Sequence, residues 1–202
     1  MGQIAVDIVL LPPREVMDLV IEQNRDLVAG RHREIVLTHD GALPHISLVM
    51  GCMETDTLPE LVSIMNDLVK DHPPGGLTAI GIAIISNQVG KKVSSLLIHK
   101  TDPLQRLHEV LLIATGPLLG YQPRPEMFYG GAPVTQSTLD WVRLFREQSS
   151  LHRFWPHITI GYGVARPIDR PVSFHPQALA VCQLGNHCTC QRVLAEVRFG
   201  QA

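Results

Sequence analysis

With 202 residues and a mass of 22.3 kDa, the chain has room for one domain or two closely fused lobes, and 45% apolar against 18% charged residues lets it bury a core, which excludes a disordered chain. The formal net charge of -2 excludes a strongly basic surface that coats nucleic acid through many phosphate contacts, though not a single local phosphate pocket. No run reaches the about 18 consecutive apolar residues of a membrane span. The nearest, residues 110–121, is broken by Gly116 and Pro117. Residues 4–11 contain Asp7 and follow no basic residue, so they read as a strand rather than a secretion leader, and a cytoplasmic protein is expected.

In chain order, the apolar run 4–11 ends at Pro12-Pro13 and predicts a largely buried strand. Residues 14–29 place Val16, Leu19, Val20 and Leu27 at helical spacing among acids. Residues 35–38, a turn at Asp40-Gly41, and residues 45–50 predict strand, turn and strand. A helix over 58–70 stops at Pro73-Pro74-Gly75-Gly76. Residues 77–85 and 94–99 predict two strands joined through 87–92, and Asp102-Pro103 predicts an N-cap followed by proline in the first helical turn. The stretch 117–133, rich in Pro, Gly and aromatics, predicts a long loop of the kind that often carries function. A helix over 139–148, a strand over 157–162 entered through Pro156, and a hairpin of 179–184 and 188–198 around Gly185-Asn186 complete the reading.

The order repeats. Each half offers strand, helix, then a strand opening Pro-His-Ile: Pro44-His45-Ile46-Ser47-Leu48 and, 112 residues on, Pro156-His157-Ile158-Thr159-Ile160. That period is far above solenoid repeats and predicts a duplication of about 1–92 and 93–202 within a single domain. The loose pattern His-x-[Ser/Thr] occurs four times, at His45, His99, His157 and His187, against about one expected by chance. Only the pairs at His45 and His157 share the flanking Pro and Ile, so the other two are read as coincidence.

Side chains at i and i+2 of a strand share a face, which sets His45 beside Ser47 and His157 beside Thr159 while the intervening isoleucines face a core. Two imidazoles that converge on one cleft can divide an in-line phosphoryl displacement, one accepting a proton from the nucleophile and the other donating to the leaving oxygen. The two hydroxyls can donate to the non-bridging phosphate oxygens. This chemistry requires no metal or other cofactor.

Paired His-apolar-[Ser/Thr]-apolar motifs on a duplicated chain of this length resemble the 2H phosphoesterase superfamily of 2'-5' RNA ligase-like proteins and cyclic phosphodiesterases. The resemblance implies an α+β, duplicated two-lobed fold with antiparallel sheets lining a central cleft and helices outside. It implies metal-independent chemistry on 2',3'-cyclic phosphates or 2'-5' linkages of RNA ends or cyclic nucleotides. It further implies that His45 and His157 are the catalytic acid and base and that Ser47 and Thr159 bind the substrate phosphate. The partner is then a substrate, an RNA end or a small cyclic-phosphate nucleotide, with no membrane, and the chain acts as a monomer. The alternative is a non-catalytic RNA-end or nucleotide-binding module.

Other features have plainer readings. Cys182, Cys188 and Cys190 crowd near the C-terminus, but Cys-x-Cys is not the usual zinc-ribbon spacing, and small buried cysteines with reduced thiols are expected instead of a metal site or disulfides. Trp155, Tyr162, Tyr121, Phe128 and Tyr129 could stack on a base, and Arg153, Arg124, Lys100 or Lys91-Lys92 could steer phosphate; packing and solvated charge are at least as common for each. The chain has no Gly-x-Ser-x-Gly elbow, P-loop or Gly-x-Gly-x-x-Gly, which lowers the odds of a serine hydrolase, an NTPase or a dinucleotide enzyme.

Overall fold

The computed structural model describes residues 2–30, 33–86, 90–130 and 133–199. Part of the predicted connection 87–92 and two residues of the predicted loop 117–133 lie outside the described residues. Two four-stranded antiparallel sheets form the frame. The first runs in the order β2 (Ile46–Glu54), β1 (Gln3–Leu11), β7 (Ala178–Leu184), β8 (Cys190–Arg198). The second runs β5 (His157–Tyr162), β4 (Lys92–Ile98), β3 (Leu77–Ser86), β6 (Val172–Phe174). Each sheet borrows strands from the other half of the chain: β7 and β8 complete the first, and β3 completes the second. Among the described residues four α-helices, α1 (Arg14–Ala29), α2 (Leu58–Asp71), α3 (Asp102–Thr115) and α4 (Gln136–Gln148), complete an α+β fold of two lobes.

The sequence pattern explains the layout. β1 is buried throughout 5–11, as a near-continuous apolar run requires of an inner strand. The helices cross over: α1 packs on β5 of the second sheet, and α3 packs on β2 of the first. Their apolar stripes, including Val16, Val20 and Leu27 on α1 and Leu104, Leu107 and Leu111 on α3, join one core with Ile46, Leu48, Ile158 and Ile160. A smaller cluster holds Met127 and Phe128 of the loop against Val142 and Phe145 of α4. No helix is long and apolar enough to cross a membrane among the described residues.

Four local expectations are corrected. Residues 35–38 form no strand; Leu37 makes only an isolated bridge to Ala42, because Asn24 takes the Leu37 N–H and the Ile35 carbonyl that a ladder would have used. The cap of α3 is Thr101, whose extended backbone lets its hydroxyl accept from Leu104 N–H at 3.4 Å, and Asp102 is already helical. The short strand β6 has no counterpart in the predicted elements. Cys182 and Cys190 are joined by a disulfide rather than reduced: adjacent antiparallel strands bring their Cα atoms to 5.4 Å, within bonding range. Cys52 and Cys188 remain free.

Candidate active site

The two motif strands are built alike to the residue. On the first sheet Val9 faces Ser47 and Ile8 faces Val49, so Leu48 has no partner on β1. On the second, Ser95 faces Thr159 and Ser94 faces Gly161, so Ile160 has none on β4. Such a slip leaves one residue outside the ladder and turns the strand locally. Both stranded carbonyls are then taken by a buried polar side chain from the helix packed behind. His108 of α3 donates from Nδ1 to Leu48 O at 2.8 Å and accepts Leu151 N–H on Nε2 at 2.8 Å. Asn24 of α1 donates to Ile160 O at 2.7 Å and Ile35 O at 2.9 Å, and accepts Leu37 N–H at 2.9 Å. Gly161 is required beside this clamp: its φ of +152° disfavours a side chain, and a Cβ there would meet Asn24 Nδ2 at 3.0 Å.

This construction aims His45, Ser47, His157 and Thr159 into one cleft of about 380 Å³, while Ile46, Leu48, Ile158 and Ile160 go into the core. The two imidazoles are anchored in the same way. His45 Nδ1 bonds Leu43 O and His157 Nδ1 bonds Trp155 O, each at 2.8 Å and each two residues back along the chain. A carbonyl only accepts, so Nδ1 carries the proton in both rings and each Nε2 is left for chemistry. Trp155 also tilts against the His157 ring at a centroid distance of 4.6 Å.

Burial lowers both histidines from their ordinary value, opposed in each case by the bond to the carbonyl. His45 is pushed down to about 4, and charge on His157 adds to that depression, so the two rings sense each other. Behind His45 lies Asp7, on β1 and fully buried, with Oδ2 at 3.7 Å from His45 Nε2. Neither carboxyl oxygen makes a well-formed hydrogen bond. Burial raises Asp7 well above the usual carboxylate range, which the nearby Ser47 hydroxyl only partly offsets. Burial, and after it Asp7, also raise the Cys188 thiol on the cleft wall.

Of the other residues singled out in the sequence, Trp155, Tyr162 and Arg153 line the cleft. Phe128 is buried in the smaller core, Tyr129 lies away from the cleft, Arg124 pairs with Glu126 at 2.8 Å, Lys91 pairs with Glu34 at 2.7 Å, and Lys100 bonds Phe154 O at 3.1 Å. His187 and Thr189, read as a chance match, do line the cleft, and Tyr162 OH lies 3.3 Å from His187 Nδ1. His187 and Cys188 adopt φ of 59° and 53°, a costly conformation for non-glycine residues. The turn is held there by Asn186 Oδ1, which accepts from Thr135 N–H and the Thr138 hydroxyl at the start of α4. Trp141 and Phe145 of α4, Met50 and Ser95 complete much of the wall and carried no motif in the sequence. Asp7 did leave a signal, as the single charged residue in an otherwise apolar strand. Among the described residues no three His, Cys, Asp or Glu side chains group as a metal ion would need.

No family model matches the chain, and no curated protein matches it. Solved structures do. TT0787 of Thermus thermophilus superposes with a TM-score of 0.68 at 16% identity, over 97% of this chain and 98% of that one. Escherichia coli LigT in its apo form gives 0.54 at 15% identity, over the whole of both chains. A protein described as a phosphoesterase gives 0.51 at 15% identity, over 99% of this chain and all of that one. The likeness is one of fold, and it agrees with the 2H phosphoesterase resemblance drawn from the two motifs.

Proposed function

We propose that this chain is a metal-independent phosphodiesterase of the 2H type, acting through 2',3'-cyclic phosphate or 2'-5' phosphodiester chemistry on RNA ends or cyclic nucleotides. One observation carries the reading. Two His-x-[Ser/Thr] pairs, at equivalent register positions of two sheets, open into a single cleft with both Nδ1 atoms tied to carbonyls and both Nε2 atoms free. The fold likeness to LigT and to a phosphoesterase supports it.

In the proposed reaction the phosphate sits between the two Nε2 atoms. One neutral imidazole takes the proton of the attacking water or ribose hydroxyl as its oxygen bonds to phosphorus. The other, protonated, gives its proton to the leaving oxygen as the opposite P–O bond breaks. Ser47 and Thr159 donate to the non-bridging oxygens, where negative charge builds in the transition state. Arg153 supplies a cation on the cleft wall, and the rings of Trp141, Trp155 and Tyr162 offer apolar faces to a base. Joining two ends by the reverse path consumes no ATP, because opening a cyclic phosphate conserves the phosphodiester bond energy.

The test is incubation of the purified protein with a 2',3'-cyclic mononucleotide and with RNA ended by a 2',3'-cyclic phosphate, in the presence of EDTA and beside the His45→Ala/His157→Ala double variant. Turnover by the unaltered protein alone supports the reading. Activity abolished by chelator and restored by zinc would sink it in favour of a metallohydrolase, and a ligand held tightly through both histidines yet recovered unchanged would point to the binding module.

A further inference from the structure

Among the described residues Asp7 is the one carboxyl buried from solvent, and neither of its oxygens makes a well-formed hydrogen bond, with the Ser47 hydroxyl alongside. A carboxyl so placed costs the fold stability, because burial removes its hydration without a well-formed hydrogen bond to replace it. The second sheet shows that the architecture does not need it. Asp7 faces Met50 across β1 and β2, and the equivalent pair, one step beyond the same slip in register, is Val93 facing Tyr162. So at matched register positions of the two sheets stand an acid, beside His45, and a valine, on the cleft wall.

Building on the phosphodiesterase reading, we propose that Asp7 is a positioning residue that shares one proton with His45 and thereby makes His45 the acid of the pair, leaving His157 as the base. The geometry is the 3.7 Å approach of Asp7 Oδ2 to Nε2 of His45, in a buried spot that the pair shares with the Ser47 hydroxyl. Before substrate binds, burial raises the carboxyl and lowers the imidazole, and both shifts favour the proton on the Asp7 side of the pair. An anionic phosphate beside Nε2 favours the imidazolium and draws the proton across. The groups facing the pair are His157 across the cleft and the Cys188 thiol, which burial holds neutral, with Ser47 alongside; Cys182, opposite Asp7 on β7, is bonded to Cys190 and does not titrate.

The protons balance. Attacking water forms the new P–O bond and gives its proton to His157 Nε2. The bond from phosphorus to the ribose oxygen breaks, and that oxygen takes the proton from His45 Nε2. Solvent then removes the proton from His157 and returns one to the Asp7–His45 pair.

The test compares wild type, Asp7→Asn and Asp7→Val by the pH profile of kcat/KM on a 2',3'-cyclic mononucleotide, by NMR titration of the His45 ring, and by thermal unfolding. In Asp7→Asn the alkaline limb should move down by about one pH unit or more while the acid limb stays, giving a loss of about 10- to 100-fold above neutrality. Asp7→Val should show the same kinetic loss and melt higher than wild type, a combination that a purely structural carboxyl would not give. If Asp7→Asn fails to fold, Asp7→Val decides. An unmoved alkaline limb, or an equal loss at every pH accompanied by a lower melting temperature, overturns the proposal. Should wild type turn over no cyclic phosphate, the phosphodiesterase reading falls, and the His45 titration alone decides the coupling: displacement in Asp7→Asn upholds the shared proton, and none refutes it.

Discussion

The two walls of the cleft are the same object built twice and then loaded differently. Both strands slip by one residue at the same point of the motif, both free a carbonyl, and both anchor the histidine to the carbonyl two residues back. Yet the first wall clamps its freed carbonyl with His108 and sets Asp7 beside His45, whereas the second clamps with Asn24 and carries Val93 at the register position of Asp7. Backbone geometry, which sets where the reacting atoms sit, is duplicated; buried charge, which sets how each histidine titrates, is not. The proposed displacement would use that combination, since its two proton transfers run in opposite directions through similar positions.

The deepest break in the symmetry is expected at the histidines themselves. His45→Ala and His157→Ala should each lose about 10²- to 10⁴-fold in turnover of a cyclic phosphate with the fold retained, and the double variant should be little worse than either single one, because both act in one step. Rates from single and double variants, with circular dichroism as the folding control, check this.

Next come the clamps. Asn24→Ala removes three buried hydrogen bonds and His108→Ala two, together with the stack of His108 on Phe154 at 4.2 Å. Each should cost about 2–4 kcal/mol by denaturant unfolding, since backbone groups are left buried and unpaired. Matched losses would show the two clamps to be equivalent. A loss under about 0.5 kcal/mol at either would remove that clamp from the account of how its strand is aimed.

Ser47→Ala and Thr159→Ala should each lower kcat/KM by about 10- to 100-fold, through one hydrogen bond to the phosphate. Similar losses at both would extend the symmetry from histidines to hydroxyls. Unequal losses would report that the phosphate leans to one wall.

A smaller effect is on stability against pH. His45 titrates in the fold at about 4 instead of 6.5, so below 6.5 the unfolded chain binds a proton that the folded one refuses, and stability is lost as pH falls towards 4. Asp7 runs the other way: above its ordinary 3.8 the unfolded chain releases a proton that the fold retains, and stability declines as pH rises towards its raised folded value. The two slopes oppose each other from about 4 upward, until pH passes the raised folded value of Asp7 or the 6.5 at which the His45 slope ends. Asp7→Val should therefore expose the His45 slope, with unfolding midpoints that rise more steeply with pH over that window than in wild type. Parallel curves would contradict the opposition.

Most of the elements and the four motif residues of the cleft could be read from the amino-acid order, because both are written locally. Apolar periodicity marks β1, α1 and α2, Pro and Gly mark their ends, and a period of two puts His and Ser or Thr on one face of a strand. Two of the corrections arose where a distant group intervened: Asn24 took the backbone groups of residues 35–37, and the pairing of β7 with β8 brought Cys182 to Cys190. Long-range packing settled that β7 and β8 join the first sheet and β3 the second, that α1 and α3 cross to the opposite motif strands, and that Trp141, His187 and Thr189 enter the cleft. It also set Asp7 rather than an apolar side chain behind one histidine of the two. Such placements depend on contacts between residues far apart in the chain, and a partner across a sheet leaves no trace in the periodicity of either strand.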